Sequence, residues 1–304
     1  MRRSVRSIVA ALAAVAVSAA QARAQTYGFT GTSFTWTAAS TGMYKITAQG
    51  AQGGVGLLDE TSFFGGRGAQ VGGYFSLTQG SILYLAVGGR GATSLGGYNG
   101  GGGGGSFVVD ALNNPMLVAG GGGGIRTGAS QNGCDATISQ YGVQGSAGNN
   151  ASTCTNKSTD LSVGGIVTAS SWGSGGAGFF GDGAVDFFPT PARSWLNGLA
   201  GGTGSWGSYG ATCQADGGFG GGGSGTGCGG GGGGGGYSGG DGGFIAGGGG
   251  SFVSGTQTWA TAGAGYGDGL IQIETMATVP EPATIALMFV GLGVVGMAAR
   301  RRKA

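Results

Sequence analysis

Short stretches in which apolar and polar residues alternate recur along the chain, each bounded by Gly, Asn, Pro or Ser. Phe34-Thr35-Trp36-Thr37 and Tyr44-Lys45-Ile46-Thr47-Ala48 alternate strictly, so each would place its apolar side chains on one face of a strand. Tyr74-Phe75-Ser76-Leu77 and the run from Ser81 to Val87 flank Thr78-Gln79-Gly80, which predicts a hairpin with a short glycine-containing loop. Phe107-Val108-Val109 and Met116-Leu117-Val118-Ala119 flank a turn at Asn113-Asn114-Pro115, and Leu270-Ile271-Gln272-Ile273 closes the series. No stretch between residues 25 and 278 sustains a 3.6-residue apolar period with helix caps. The pattern predicts an all-β protein, an antiparallel β-sandwich.

Runs of glycine lie between these strands, at Gly100 to Gly105, Gly120 to Gly124, Gly220 to Gly223, Gly229 to Gly236 and Gly247 to Gly250. Two of them lead into Ser-Phe-Val, at Ser106 and Ser251, as though one local device were used twice. In the polyproline-II shape a glycine run makes no internal hydrogen bonds, so its N–H and C=O groups point sideways and need partners if buried. Ordering one residue costs about 1–2 kcal/mol. An isolated run would therefore stay loose, whereas several runs without side chains can approach one another and pair. The aromatic and aliphatic residues near the runs, Tyr237, Phe244, Ile245 and Phe252, would dock such a bundle onto the strands.

Composition supports order over disorder. Glycine supplies 80 of 304 residues, but there is no Gly-X-Y period and only 5 prolines, which excludes collagen. Charged residues make up 9% and apolar ones 40%, the reverse of a disordered chain. The formal charge of +2 conceals an uneven distribution, because residues 25 to 278 hold six basic and eleven acidic residues, a net charge of −5. A binder of phosphate backbones needs a basic face, so nucleic acid is excluded as a partner.

The basic residues gather at the two ends. Residues 1–24 read as a signal peptide: a basic start, an apolar run from Ile8 to about Ala20, and Ala22-Arg23-Ala24 as a cleavage site before Gln25. At the other end the 17 uncharged residues from Ala283 to Ala299 reach the lower limit of about 17–25 for a membrane-spanning helix. Arg300, Arg301, Arg302 and Lys303 would hold the end of that single hydrophobic helix on the cytoplasmic side. Val279-Pro280-Glu281-Pro282-Ala283, followed by an apolar helix and a basic cluster, resembles the PEP-CTERM sorting signal of Gram-negative bacteria. That resemblance implies secretion, transient anchoring in the inner membrane, processing by exosortase at or near Pro-Glu-Pro, and delivery to the cell surface or matrix, often beside exopolysaccharide. The expected domains are a signal peptide (1–24), a glycine-rich domain (25–278) and the sorting segment (279–304).

A second resemblance covers the chain from about Phe29 to Glu274. GMYKITAQGAQGG (Gly42 to Gly54), GSILYLAVGGRG (Gly80 to Gly91), GGYNGGGGGGSFV (Gly96 to Val108), PMLVAGGGGG (Pro115 to Gly124), SWLNGLAGG (Ser194 to Gly202), GGFGGGGSGTGCGGGGGGGGYSGGD (Gly217 to Asp241) and GYGDGLIQI (Gly265 to Ile273) occur in order. Together they resemble the extracellular glycine-rich domain of the anaplastic lymphoma kinase and leukocyte tyrosine kinase receptors. The resemblance implies a tumour-necrosis-factor-like β-sandwich holding a bundle of polyglycine-II helices. It matches least between Ala129 and Asp186, and the receptors' cytokine-binding surface is not carried over.

Cys134, Cys154, Cys213 and Cys228 in an exported chain predict disulfides; three connectivities are possible, with Cys134–Cys154 and Cys213–Cys228 the nearest neighbours in sequence. Their spacing lacks a C-x-x-C and the chain has no histidine, so no metal site is expected. The absence of histidine also excludes Ser-His-Asp and Cys-His catalysis. Glycines without a following Lys-Ser/Thr do not make a phosphate loop, so no cofactor is expected either. Asp182, Asp241 and Asp268 beside glycines read as turn residues. The expected function is non-enzymatic: a structural or adhesive protein of the cell surface or matrix. A receptor-like binding module for a protein or small ligand is the second reading, and ice binding a third.

Overall fold

Alternation decides which side of each strand is dry. Tyr44, Ile46 and Ala48 are buried while Met43, Lys45, Thr47 and Gln49 between them are not. The computed structural model of the protein describes residues 24–58, 61–126, 132–146, 154–155, 157–168, 173–185, 190–204, 210–226, 229–276 and 291–292. The chain divides into a unit of residues Arg23–Thr275 and a unit made of Met1–Ala22 with Met276–Ala304. In the second unit Gly291 and Leu292 are helical. The rest of the expected hydrophobic helix (Ala283 to Ala299), the Pro-Glu-Pro segment and the basic tail lie outside the described residues. Among the described residues no helix is long and apolar enough to cross a membrane.

The strands in chain order are β1 (Ala24–Tyr27), β2 (Phe34–Thr37), β3 (Gly42–Gln49), β4 (Gly56–Leu58), β5 (Thr61–Phe63), β6 (Gly68–Leu77), β7 (Ile82–Ala86), β8 (Ser106–Asp110), β9 (Pro115–Ala119), β10 (Tyr141–Val143), β11 (Lys157–Leu161), β12 (Phe252–Val253), β13 (Thr256–Gly265) and β14 (Leu270–Thr275). They form two five-stranded antiparallel sheets, β1-β14-β3-β6-β13 and β12-β9-β8-β7-β2, with β4-β5 and β10-β11 as separate two-stranded ribbons. Ile46, Val71, Phe75, Ile271 and Ile273 of the first sheet share one core with Leu83, Leu85, Val108 and Leu117 of the second. Burying each such side chain contributes about 1.5–3 kcal/mol.

The centre of the second sheet is dry on both faces. Ser106, Phe107, Val108 and Val109 are all buried, so β8 reads as a continuous run rather than an alternating one. Its far face is covered by aromatic residues from the glycine-rich part of the chain: Phe179 and Trp195 stack at 6.0 Å with planes 7° apart, and Trp195 lies 5.8 Å from Phe107. Tyr237 stacks on Phe252 at 4.7 Å. Glycine runs and sheet are thus joined through rings that sit at the ends of the runs.

Two expectations change. The segments on either side of Thr78-Gln79-Gly80 do not form a hairpin, because β6 pairs with β3 and β13 in the first sheet and β7 pairs with β2 and β8 in the second. The turn carries the chain from one sheet to the other, pinned by Gly80 N–H donating to Ala38 O and Ala38 N–H donating to Ser81 O, each at 2.9 Å. The aspartates beside glycines are not local turn residues alone, although Asp268 does lie in the bend between β13 and β14. Asp268 Oδ1 accepts from Arg90 N–H at 2.8 Å, and buried Asp241 accepts from Ile166 N–H at 2.9 Å, so each ties distant segments together.

Asp182 does the same for the turn that carries Trp195. Its Oδ1 accepts from Ser194 N–H at 2.8 Å and from Asn197 Nδ2 at 2.9 Å, and its Oδ2 accepts from Arg193 Nη1 at 2.8 Å. Burial alone would raise its pKa, but the hydrogen bonds from Asn197, Ser194 and Arg193 outweigh it and hold the carboxyl below its ordinary range. A depressed folded-state pKa stabilises the protein above the unfolded value of about 3.9, and that contribution is lost as the pH falls through the folded value. Asp182→Asn is expected to cost about 1–2 kcal/mol at pH 7. Urea unfolding should show the gap to wild type shrinking as the pH falls below the unfolded value of about 3.9 and through the lower folded one; a gap of constant size would mean that packing, not charge, carries the effect.

Candidate functional site

The glycine runs form the body on which the candidate site is mounted, and their hydrogen bonds repeat every three residues. Gly100 and Gly103 donate to Ile125 O and Gly122 O, Gly101 and Gly104 to Ala92 O and Gly89 O, and Gly102 and Gly105 to Gly223 O and Gly220 O, all at 2.8–2.9 Å. Each third residue meets the same neighbour, so one segment is held by three others. Ser174 to Phe179 repeats the arrangement, with Ser174 and Ala177 donating to Ser224 O and Gly221 O, Gly175 and Gly178 to Ala184 O and Gly181 O, and Gly176 and Phe179 to Gly240 O and Tyr237 O. Gly100 to Gly105, Gly120 to Gly124 and Gly231 to Gly236 are buried throughout. Every buried backbone group that finds a partner avoids a penalty of about 1–3 kcal/mol.

A segment locked in this way can hold a side chain rigidly at its margin. Arg67 interrupts Gly65-Gly66-Arg67-Gly68, and Gly66 N–H and Ala69 N–H on either side donate to Gly123 O and Gly120 O. Its guanidinium meets Asp135 through two bonds, Nη2 to Oδ2 at 2.7 Å and Nε to Oδ1 at 3.3 Å, and its backbone N–H donates to the same Oδ1 at 2.7 Å. Nη1 donates to the Tyr266 hydroxyl at 3.1 Å. The bond to Asp135 first, and that to Tyr266 second, push the Arg67 pKa still further above its ordinary value. Gly263 sits against the pair with φ +58°, in a β13 bulge, and a Cβ there would collide with Asp135 Oδ2.

Asp135 follows Cys134, which is joined to Cys154 by a disulfide. Cys213 is also disulfide-bonded, and Cys228 lies outside the described residues. The ion pair, the Cys134–Cys154 bridge and the rings of Phe64 and Tyr266 line an open cleft of about 800 Å³. Phe64 and Tyr266 are 56% and 65% exposed, so their ring faces are available at its rim. Arg67 and Asp135 are the charged residues among its described lining, and they neutralise each other. Asn132 accepts from Phe64 N–H at 2.9 Å through Oδ1, which turns its Nδ2 away from that bond. Among the described residues no three His, Cys, Asp or Glu side chains converge.

Sequence reasoning did not assemble this cleft. Arg67 lies 68 residues from Asp135 and 199 from Tyr266. The available signals were a charge inside a glycine segment and an aspartate next to a cysteine. The residues expected to act in export are placed elsewhere: Ala24 and Gln25 belong to β1 and pair with Glu274 and Ile273, while Ala22 and Val279 to Ala283 lie outside the described residues.

Residues 278–303 match the PEP-CTERM protein-sorting motif. Among curated proteins, none matches the chain. The motif marks an exported protein that passes through the membrane by way of exosortase-dependent processing.

Proposed function

We propose that the protein is a non-enzymatic structural or adhesive component of the cell surface or extracellular matrix, released there after exosortase removes the tail near Pro280-Glu281-Pro282. The observation that carries this reading is the sorting motif over residues 278–303. Residues 25–278 form the mature domain in this reading. Its glycine runs, bonded on three sides with a three-residue repeat, are polyglycine-II helices bundled against a sandwich of the tumour-necrosis-factor type. Two features support that assignment: the shared neighbour at every third residue and the core common to both sheets. A bundle of this kind, stiff and closed by disulfides, suits a load-bearing or contact-making role outside the cell.

Replacing Pro280-Glu281-Pro282 by three alanines tests the reading. With a tag placed after Gln25, the wild-type chain should appear in the matrix fraction without its C-terminal helix, and the alanine variant should stay full length in the membrane fraction. Deleting exosortase from the host should move the wild type into the variant's fraction. Equal trimming and release of both chains in both hosts would overturn the proposal.

A further inference from the structure

We infer that the cleft beside the Cys134–Cys154 bridge is a binding site for a neutral saccharide. The inference rests on the reading of an extracellular protein, since only there would the cleft meet secreted glycans. Three features of the cleft select the ligand class.

The first is charge. Arg67 is gripped by Asp135 through two side-chain bonds and by the Tyr266 hydroxyl through a third. A carboxylate or phosphate ligand would need a cation, and Arg67, the cation among the described lining residues, is already matched by an anion. A ligand of hydroxyl groups needs no net charge. Each Arg67 η nitrogen carries two hydrogens, and one on each is used in these bonds. That leaves one hydrogen on each, and the carboxylate that Arg67 meets has a side chain 37% exposed. Donors and an acceptor paired in this way fit neighbouring hydroxyls, one accepting from the guanidinium and the other donating to the carboxylate.

The second is the rings. Phe64 and Tyr266 stand 56% and 65% exposed at the rim, although large apolar side chains left in water gain nothing for the fold. The guanidinium of Arg67 lies over the Tyr266 ring at 5.7 Å from its centroid, which helps to hold the exposed ring in place. A pyranose has an apolar C–H face of similar size, and rings held in this way stack on it.

The third is rigidity and size. Arg67 is mounted on the locked glycine segment, Asp135 beside the disulfide, and Tyr266 between β13 and β14, so the polar groups need no ordering when a ligand arrives. The cleft of about 800 Å³ is open, which suits a short stretch of a longer chain passing through it.

The test uses the exported protein as its host releases it, recovered and immobilised. It is challenged with neutral gluco-, galacto- and manno-oligosaccharides, with polygalacturonate as the anionic counterpart and a random peptide library as the competing class. At least one neutral series should be retained with little dependence on salt. Tyr266→Ala and Phe64→Ala should each weaken retention at least tenfold, and Tyr266→Phe, which keeps the ring, should retain most of it. Both rings are exposed, so unfolding midpoints close to wild type are expected; if one alanine variant is destabilised, the other and Tyr266→Phe still decide. Failure to retain any neutral series, a preference for polygalacturonate that salt abolishes, capture of peptides instead, or retention unchanged in both alanine variants would each overturn the inference. Fractionation of the same variants separates the two readings. A chain delivered to the matrix that binds no saccharide refutes the site alone, and a chain that remains in the membrane refutes the extracellular reading whatever it binds when purified.

Discussion

Gly102→Val is expected to leave no folded protein, while Gly42→Ala leaves stability at or slightly above the wild-type level. Gly102 is buried, donates to Gly223 O and accepts from Gly218 N–H, and a Cβ on it would fall inside the shell of the Gly233 carbonyl. Overpacking costs about 1–3 kcal/mol, and each buried backbone group separated from its partner adds about 1–3 kcal/mol. With two bonds at stake the sum reaches about 5 kcal/mol or more, comparable with the whole stability of a typical domain, about 5–15 kcal/mol. Gly42 lies at the start of β3 with nothing within 4 Å of its would-be Cβ. Removing unfolded-state entropy there stabilises by about 0.4–1 kcal/mol. Soluble yield and urea midpoints of the two variants are the measurements. A Gly102→Val protein with a wild-type midpoint would mean that the three-sided hydrogen bonding is not what holds the glycine runs.

The second large effect is expected at the Cys134–Cys154 bridge, which spans 20 residues of sequence. In the chain-entropy account a loop of that size stabilises by about 3 kcal/mol. The double variant Cys134→Ala/Cys154→Ala isolates it, because reductant would also attack the bond of Cys213. Its urea midpoint should fall accordingly, with Asp135 drawn out of register with Arg67. An unchanged midpoint would show that Cys134 N–H bonded to Ala246 O and Ala136 N–H bonded to Arg67 O hold the loop without the bridge.

Much of the strand map could be read directly from the chain. Tyr44 to Ala48 alternate because one face of β3 is core and the other is not, and the segment from Phe107 to Ala119 is a hairpin, as its Asn-Asn-Pro turn indicates. β13 was not legible. It is an edge strand, exposed at Thr256 to Thr258 and again at Ala260 to Ala262, so burial imposes no alternation on TQTWATAGAG. The first half of β6, GAQVGG, looks like a glycine loop, yet it is a central strand because β3 and β13 complete its hydrogen bonds on both sides.

Local residues therefore settle where strands can lie, which stretches tolerate no side chain, and that the C-terminal segment is a sorting address, since each of these depends on composition or periodicity within a few residues. Partner choice is another matter. A β pattern says which face is apolar but not which strand will lie beside it, and so the segments around Thr78-Gln79-Gly80 divide between two sheets instead of pairing. Glycine runs carry even less information, because identical residues without side chains cannot specify which of several neighbours receives each N–H. For Gly100 to Gly105 that choice is made by the surrounding anchors: Phe107 among the rings of Phe179 and Trp195, and the sheets that fix where each run begins and ends. The cleft of Arg67, Asp135 and Tyr266 arises the same way, from three distant segments brought together only when the runs have packed.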